Sequence, residues 1–214
     1  RNFSASPRDI SAIATGLEQL PILTEALASV APNQEFAVPN SIELTEVIGA
    51  IRSSLMAPPP VSAGGGDTIK DGIKPELDEA RSLSSGARTR IAAIETDLKR
   101  DTGISSLKIG YNKVFGYYVE VSRVNLDKIP AEFERRQTLV NAERFITPEL
   151  KELESKIVTA RDRISELERS AFRRVTNEVA VQGERIMQAA RFIAELDVFA
   201  ALAEGASRNN WVRP

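Results

Sequence analysis

The stretch that decides the fold is Leu107–Arg123, LKIGYNKVFGYYVEVSR, in which apolar residues recur at every second position. Before a short turn the alternating residues are Leu107, Ile109 and Tyr111, and after it they are Tyr117, Val119 and Val121. A period of two is typical of a half-buried strand, because successive side chains point to opposite faces of a sheet. Asn112 and Gly116 are residue types that tight turns favour. The stretch therefore predicts a β-hairpin.

A second pair of strands is predicted at about 136–140 and 143–146, joined at Asn141–Ala142. Four short strands are about the smallest number that we expect to form a stable sheet. We therefore interpret residues 103–146 as one small antiparallel sheet and call this segment the β module.

The segments on either side of the β module have apolar residues spaced three and four apart. From Pro75 to about Asp101 these are Leu77, Ala80, Ser84, Ala87, Ile91, Ile94 and Leu98, with one polar position. After Thr147–Pro148–Glu149, which suits a helix start, they are Leu150, Leu153, Ile157, Ala160, Ile164, Leu167 and Ala171. This heptad spacing predicts two helices that pair along a narrow seam, each about 40 Å long. An ordinary helical-bundle core would give the same stripes.

Further helices are predicted toward the start of the chain. Ser6–Asp9 combines an N-cap Ser, a Pro at the first helical position and an acid in the first turn. Pro21 separates this helix from a helical piece over about 22–30, and Pro39–Asn40–Ser41 begins another helix.

A final helix is predicted over about Glu184–Ala206, with Gly183 and Gly205 at its boundaries and an irregular tail over Ser207–Pro214. The predicted fold class is therefore mainly α with a small antiparallel β insertion, in which a long helical arm carries a four-stranded module. A sheet between two antiparallel helices is expected at their far end, where movement at the base of the arm would be carried to it.

The composition removes several classes of function. The chain has no His and no Cys, so it cannot contain a Ser-His-Asp or Cys-His centre or a His or thiolate metal site. Gly64–Gly66 is not followed by Gly-Lys-Ser/Thr, so a phosphate-binding loop is not indicated. No apolar run reaches the ~18 residues of a membrane span, and Arg1–Ser4 lacks the apolar core of a signal peptide. A hydrolase that uses carboxylates such as Glu132 and Glu134 remains an alternative.

The charge is distributed unevenly along the chain, whose net charge is −2. The β module has seven basic and five acidic residues, so it carries +2 and the remainder −4. It also contains all three tyrosines of the chain. A slightly basic module on an acidic arm suits contact with a polyanion. A solvated face would explain Arg135–Arg136 equally well, and packing would explain the tyrosines.

Several stretches of the chain resemble the MutS family of DNA mismatch repair proteins. The most specific are the hairpin run Leu107–Arg123 and RRQTLVNAERFITPELKELE at Arg135–Glu154. The others are Ser6–Asp9, Asp71–Glu79 and Ala194–Glu204, so the resemblance extends over essentially the whole chain.

The resemblance implies that residues 1–102 and 147–214 are the two parts of core and lever helices and that 103–146 is the clamp inserted between them. In the family, the clamp closes around duplex DNA and contacts its sugar-phosphate backbone without reading the sequence. It implies contacts from Arg135, Arg136 and Asn141. Many members carry Lys immediately before that Asn, whereas this chain has Val140. Lys113, in the hairpin turn, is a further candidate by its position and charge.

Two elements of the family do not occur in the sequence: the Phe-x-Glu element that probes a mismatch and the Walker A loop of the ATPase. We therefore expect this chain to be a non-enzymatic segment with no cofactor of its own, and ATP and magnesium to act elsewhere in a longer protein. The expected partners are duplex DNA, a second copy of the longer protein and a MutL-type protein, with no membrane. The expected location is the cytoplasm, at the nucleoid. The alternative is a coiled-coil arm whose β tip binds a protein.

Overall fold

The computed structural model describes residues 5–30 and 41–211. Its elements are α1 (Pro7–Leu17), α2 (Leu20–Val30), α3 (Ser41–Ser54), α4 (Pro75–Thr102), β1 (Lys108–Asn112), β2 (Gly116–Ser122), a 3₁₀ helix (Arg123–Lys128), β3 (Glu134–Thr138), β4 (Ala142–Ile146), α5 (Pro148–Val181) and α6 (Gly183–Asn209). The predicted fold class, mainly helical with one small antiparallel sheet, is confirmed.

The chain divides into two compact units, Arg1–Ile73 with Glu168–Pro214 and Lys74–Leu167. The helix α5 contributes its first residues to the second unit and its last residues to the first. The predicted boundaries at residues 103 and 147 separate functional segments rather than compact units, and they stay a prediction.

In the unit Lys74–Leu167, the predicted apolar seams of α4 and α5 are buried, except that Leu98 of α4 is half-buried. The buried residues of α4 are Leu77, Ala80, Ser84, Ala87, Ile91 and Ile94. All seven predicted seam positions of α5 are buried as well, the last of them, Ala171, in the other unit. The two helices run antiparallel, since the second half of α4 and the start of α5 pack in the same apolar cluster, and Arg90 of α4 pairs with Glu149 of α5 with 2.8 Å between nitrogen and oxygen. Thr147 begins α5 as predicted, because its hydroxyl accepts a hydrogen bond from Leu150 N at 3.2 Å.

The sheet has the order β1-β2-β4-β3, and all its neighbouring strands are antiparallel. The predicted hairpin of β1 and β2 is confirmed. In its turn, Asn112 Oδ1 accepts a hydrogen bond from Val114 N at 2.7 Å. Gly116 has φ +79, a conformation that glycine adopts without strain.

One face of the sheet packs on the helices. Val119, Val121 and Phe145 join Ile91 and Leu150 in a single buried apolar cluster. Glu95 of α4 accepts hydrogen bonds from Lys99 Nζ at 2.6 Å and from Ile109 N of β1 at 3.0 Å. The Lys99 ammonium, together with this backbone hydrogen bond, holds the pKa of Glu95 below its ordinary value. The β module is thus fixed to α4 both by apolar burial and by a carboxylate.

The second strand pair exists, but the predicted bounds of its first strand were wrong. β3 covers Glu134–Thr138 instead of about 136–140, and the loop to β4 covers 139–141. The loop closes because Leu139 N donates to Ala142 O at 2.8 Å. A bulge between Arg135 and Gln137 shifts the register further. The alternation of apolar residues in the sequence does not reveal an inserted residue of this kind.

In the other unit, α1 begins as predicted, with a reciprocal pair of hydrogen bonds between Ser6 and Asp9. Arg52 of α3 donates to both carboxylate oxygens of Glu18, at 2.7 and 2.8 Å. The predicted break near Pro21 lies just before it, since α1 ends at Leu17 and α2 starts at Leu20. Of the predicted start at Pro39–Asn40–Ser41, the first two residues lie outside the described ranges.

The segment that contains Gly64–Gly66 folds around a carboxylate of the chain itself. Glu168 is fully buried and accepts hydrogen bonds from Gly66 N at 2.7 Å and Thr68 N at 2.9 Å. One prediction about the last helix of this unit was wrong. Gly205 lies inside α6, which continues to Asn209 and ends where Asn210 adopts φ 51, so the tail is helical at Ser207.

Candidate nucleic-acid interface

Arg135 and Arg136 lie on β3, which is an edge strand of the sheet. All five residues of β3 are exposed. The bulge leaves Arg136 outside the register of paired residues. Charged side chains also protect an edge strand from pairing with another chain. Exposure of this arginine pair is therefore compatible both with binding and with a solvated edge.

The two arginines differ in their ion pairs. Arg136 is paired with Glu134 at 2.8 Å, and both side chains are exposed. Arg135 Nε lies 3.0 Å from Oε2 of Glu143, a carboxylate only 9% exposed, in an ion-pair contact without hydrogen-bond geometry. An exposed pair exchanges partners at little cost, whereas a buried carboxylate depends on its cation. Arg136 is thus the freer of the two.

Asn141 lies in the loop between β3 and β4, with its side chain exposed. Its backbone oxygen accepts a hydrogen bond from Arg123 N at 3.2 Å. Arg123 also donates from its guanidinium to Leu139 O at 2.9 Å. Within the described ranges, no hydrogen bond involves the side-chain amide of Asn141. This amide can therefore donate to an external group.

Lys113 lies in the turn between β1 and β2, exposed and in no ion pair within the described part of the chain. Lys113 and Asn141 lie at opposite ends of β2. The turn of Lys113 leads into Gly116, the first residue of β2, whereas Asn141 precedes Ala142, which pairs with Ser122, the last residue of β2. Six residues of strand separate the two ends, about 20 Å at 3.4 Å per residue. The sheet therefore brings Arg135, Arg136 and Asn141 onto one segment, but it does not bring Lys113 to them.

The outer face of the sheet carries a closed polar network centred on Arg144. Its guanidinium donates to Glu120 at 2.8 Å and to Gln137 at 2.9 Å, and it lies 4.4 Å from the ring centroid of Tyr118. The Tyr118 ring occupies the space above Gly110, where a Cβ would lie 2.6 Å from it. This network joins β2, β4 and β3, and packing accounts for the position of Tyr118.

One residue that the sequence did not single out belongs to this surface. Arg123 follows β2 directly, is exposed and contacts the loop of Asn141. Within the described ranges it has no carboxylate within 4.0 Å, unlike Arg135, Arg136 and Arg144. Its place at the end of the LKIGYNKVFGYYVEVSR run was visible in the sequence, but its lack of an ion pair was not.

The acidic side chains considered for hydrolysis do not form a pair of their own. Glu134 is bound to Arg136, and Glu132 is exposed in the segment before β3. Among the described residues, no group of three or more carboxylates is arranged to hold a metal ion. None of the described helices is long and apolar enough to cross a membrane.

A sheet carried on a pair of antiparallel helices, with an arginine-bearing edge strand, is the part of the chain that a known family matches. Residues 72–163 match the family model described as MutS family domain IV. The chain belongs to the MutS family.

The relatives include proteins named DNA mismatch repair protein MutS. The one from Desulforamulus reducens is 43% identical over 212 residues, which are 99% of this chain and 24% of that protein. The one from Thermotoga maritima is 42% identical over 97% of this chain, and the one from Methanosarcina acetivorans is 42% identical over 99%. The chain thus spans about a quarter of the length of these relatives.

Proposed function

We propose that this chain holds duplex DNA by its sugar-phosphate backbone within a MutS-type mismatch repair protein. The observation that carries this proposal is the exposed segment from β3 to the β3–β4 loop. It carries Arg136 on β3 and Asn141 in the loop that follows, both inside the region that matches domain IV of the family. A guanidinium and a side-chain amide are both donors that suit phosphate oxygens.

Contacts to the backbone position a protein on DNA but carry no sequence information. This is what a protein that searches for mismatches requires, because a mismatch can lie in any sequence. Arg136 can exchange the exposed Glu134 carboxylate for a phosphate at a cost below about 1 kcal/mol. Arg135 is the weaker candidate, because it neutralises the buried Glu143.

The helices α4 and α5 are proposed to act as a lever that couples the clamp to an ATPase elsewhere in the longer protein. Their buried seams give two helices that move together. In this proposal the chain itself catalyses nothing, and ATP and magnesium act in the other part. A homodimer, a MutL-type partner and a cytoplasmic location at the nucleoid belong to the same proposal.

The test is binding of the 214-residue chain to fluorescent duplex DNA, measured by anisotropy at about 50 mM salt and again at 200 mM salt. We expect equal affinity for a matched duplex and for one with a single mismatch. Arg136→Ala and Asn141→Ala should weaken binding to both duplexes equally. Arg174→Ala is the matched control, since it removes an arginine from another exposed ion pair, with Glu178 on α5. Absence of duplex binding by the unmodified chain at low salt would refute the proposal.

The second candidate function is a β tip that binds a protein. The observation in its favour is the exposure of Val124 and Val140, 84% and 82%, which flank Arg123 and Asn141 in the sequence. The same titration separates the two functions. If the tip binds only a protein, Arg136→Ala and Arg174→Ala will have equally small effects on DNA affinity.

A further inference from the structure

Among the described residues, the hydrogen bonds that reach the β3–β4 loop from outside β3 and β4 come from Arg123. Its backbone N donates to Asn141 O at 3.2 Å and its guanidinium to Leu139 O at 2.9 Å. The loop itself adds the hydrogen bond from Leu139 N to Ala142 O at 2.8 Å. Its middle residue, Val140, is exposed and gives it little apolar packing. The conformation of this loop therefore depends strongly on Arg123.

The backbone of Arg123 is itself fixed at the end of β2. Asn125 Nδ2 donates to Ser122 Oγ at 3.0 Å and lies 3.4 Å from Ser106 Oγ. These bonds tie the start of the 3₁₀ helix to the end of β2 and to the segment before β1. The Arg123 side chain thus extends from a fixed base across to the loop.

The guanidinium of Arg123 has no carboxylate partner within the described ranges. The other three arginines of the β module each have one, as Arg135 pairs with Glu143, Arg136 with Glu134 and Arg144 with Glu120. The Arg123 side chain therefore acts in this chain through its hydrogen bond to the backbone oxygen of Leu139.

We propose that Arg123 is a positioning residue for DNA binding, which acts by holding the β3–β4 loop so that the Asn141 amide is presented to a phosphate. This inference rests on the proposed function and deepens it. A held amide binds without the entropy loss that ordering a free loop would cost. Without the guanidinium, Leu139 O has only solvent to bond, and Asn141 samples orientations that do not bind.

The test is a double-mutant cycle in the full 214-residue chain, with duplex affinity measured by anisotropy at about 50 mM and 200 mM salt. We expect Asn141→Ala to weaken binding about tenfold and Arg123→Ala about three- to fivefold. In the Asn141→Ala background, Arg123→Ala should change the affinity by less than about 1.5-fold, because its effect passes through Asn141. Arg123→Lys should recover part of the affinity, since an ammonium can still donate to Leu139 O.

The salt dependence separates positioning from direct contact. Loss of a cationic side chain that neutralises a phosphate lowers the log–log salt slope by about 0.9, whereas loss of a positioning residue that acts through the neutral Asn141 amide leaves it unchanged. Hydrogen exchange provides the second readout: Arg123→Ala should speed exchange in a peptide covering residues 138–143 without lowering the melting temperature.

Several results would overturn the inference. An additive effect with a slope lowered by about 0.9 would make Arg123 a phosphate contact itself. Unchanged affinity or unchanged exchange in Arg123→Ala would show that the loop is held in another way. If Asn141→Ala is neutral while Arg136→Ala weakens binding, the inference fails and the proposed function stands. If the unmodified chain does not bind duplex DNA, both fail.

Discussion

Replacing each of the adjacent arginines of β3 in turn should separate DNA binding from stability. Arg135→Ala removes the cation next to Glu143, whose side chain is 9% exposed. Arg136→Ala breaks an exposed pair with Glu134. The two substitutions remove the same side chain and the same charge from neighbouring positions, so they serve as controls for each other.

The magnitudes follow from burial. Removing one partner of a fully buried ion pair costs about 3–5 kcal/mol, and less where, as with Arg135, the cation is largely exposed. We therefore expect Arg135→Ala to lower the free energy of unfolding by about 2 kcal/mol, or the melting temperature by about 4–8 °C. The exposed pair of Arg136 is worth less than about 1 kcal/mol, so Arg136→Ala should change the melting temperature little.

For DNA the order is reversed. A hydrogen bond to a charged group contributes about 1.5–3 kcal/mol, from which the cost of leaving Glu134 is subtracted. Arg136→Ala should thus weaken binding by about 1–2 kcal/mol, or roughly 5- to 30-fold. Its salt slope should fall by about 0.9, so that raising the salt from 50 to 200 mM costs the variant about 3.5-fold less affinity than the unmodified chain.

The assays are thermal unfolding by circular dichroism and duplex binding by anisotropy, performed on the same protein preparations. The reasoning would be refuted if Arg136→Ala lowered the melting temperature as much as Arg135→Ala does. It would also be refuted if Arg136→Ala left the salt slope unchanged.

Three further predictions concern other residues. Val140→Lys should tighten duplex binding about three- to fivefold at 50 mM salt and steepen the salt slope by about 0.9; an unchanged slope would place the β3–β4 loop away from the DNA. Glu168→Ala removes the buried acceptor of the Gly66 and Thr68 backbone hydrogen bonds and should cost about 2–4 kcal/mol in urea unfolding, whereas a loss below 1 kcal/mol would contradict this anchoring role. Glu95→Gln should cost about 0.5–1 kcal/mol at pH 7. Because the folded pKa of Glu95 is lowered, this difference is fully present above the unfolded pKa of about 4.3 and should shrink as the pH falls through the folded value; a difference that does not change with pH below the unfolded pKa would contradict it.

The fold could be predicted to the extent that it follows from local periodicity. Six of the seven predicted seam positions of α4, including the polar Ser84, are buried and Leu98 is half-buried, because a helix repeats its buried face every three to four residues. The hairpin was predicted because strand alternation and turn residues occur together. The first strand of the second pair was misplaced by two residues, since a bulge at Arg136 is set by the pairing with β4.

The candidate site was predictable only as a group of residues. The motif that contains Arg135, Arg136 and Asn141 was visible in the sequence, as was the resemblance that gave it a function. Which arginine pairs with a buried carboxylate depends on the neighbouring strand, because Glu143 is a residue of β4 and comes next to Arg135 only through the register. The same holds for Arg123, whose partner Leu139 is 16 residues away along the chain.

The sequence by itself determined the paired helices, the inserted sheet and the family, because periodicity and motifs are properties of neighbouring residues. Only the tertiary structure decided that Lys113 and Asn141 lie at opposite ends of the sheet and that Arg123 holds the loop of Asn141. It also decided that Glu168 fills the glycine-containing segment near residue 66. The physical reason is that charges and hydrogen-bond donors far apart in sequence find their partners only after strand register and helix packing have brought them together.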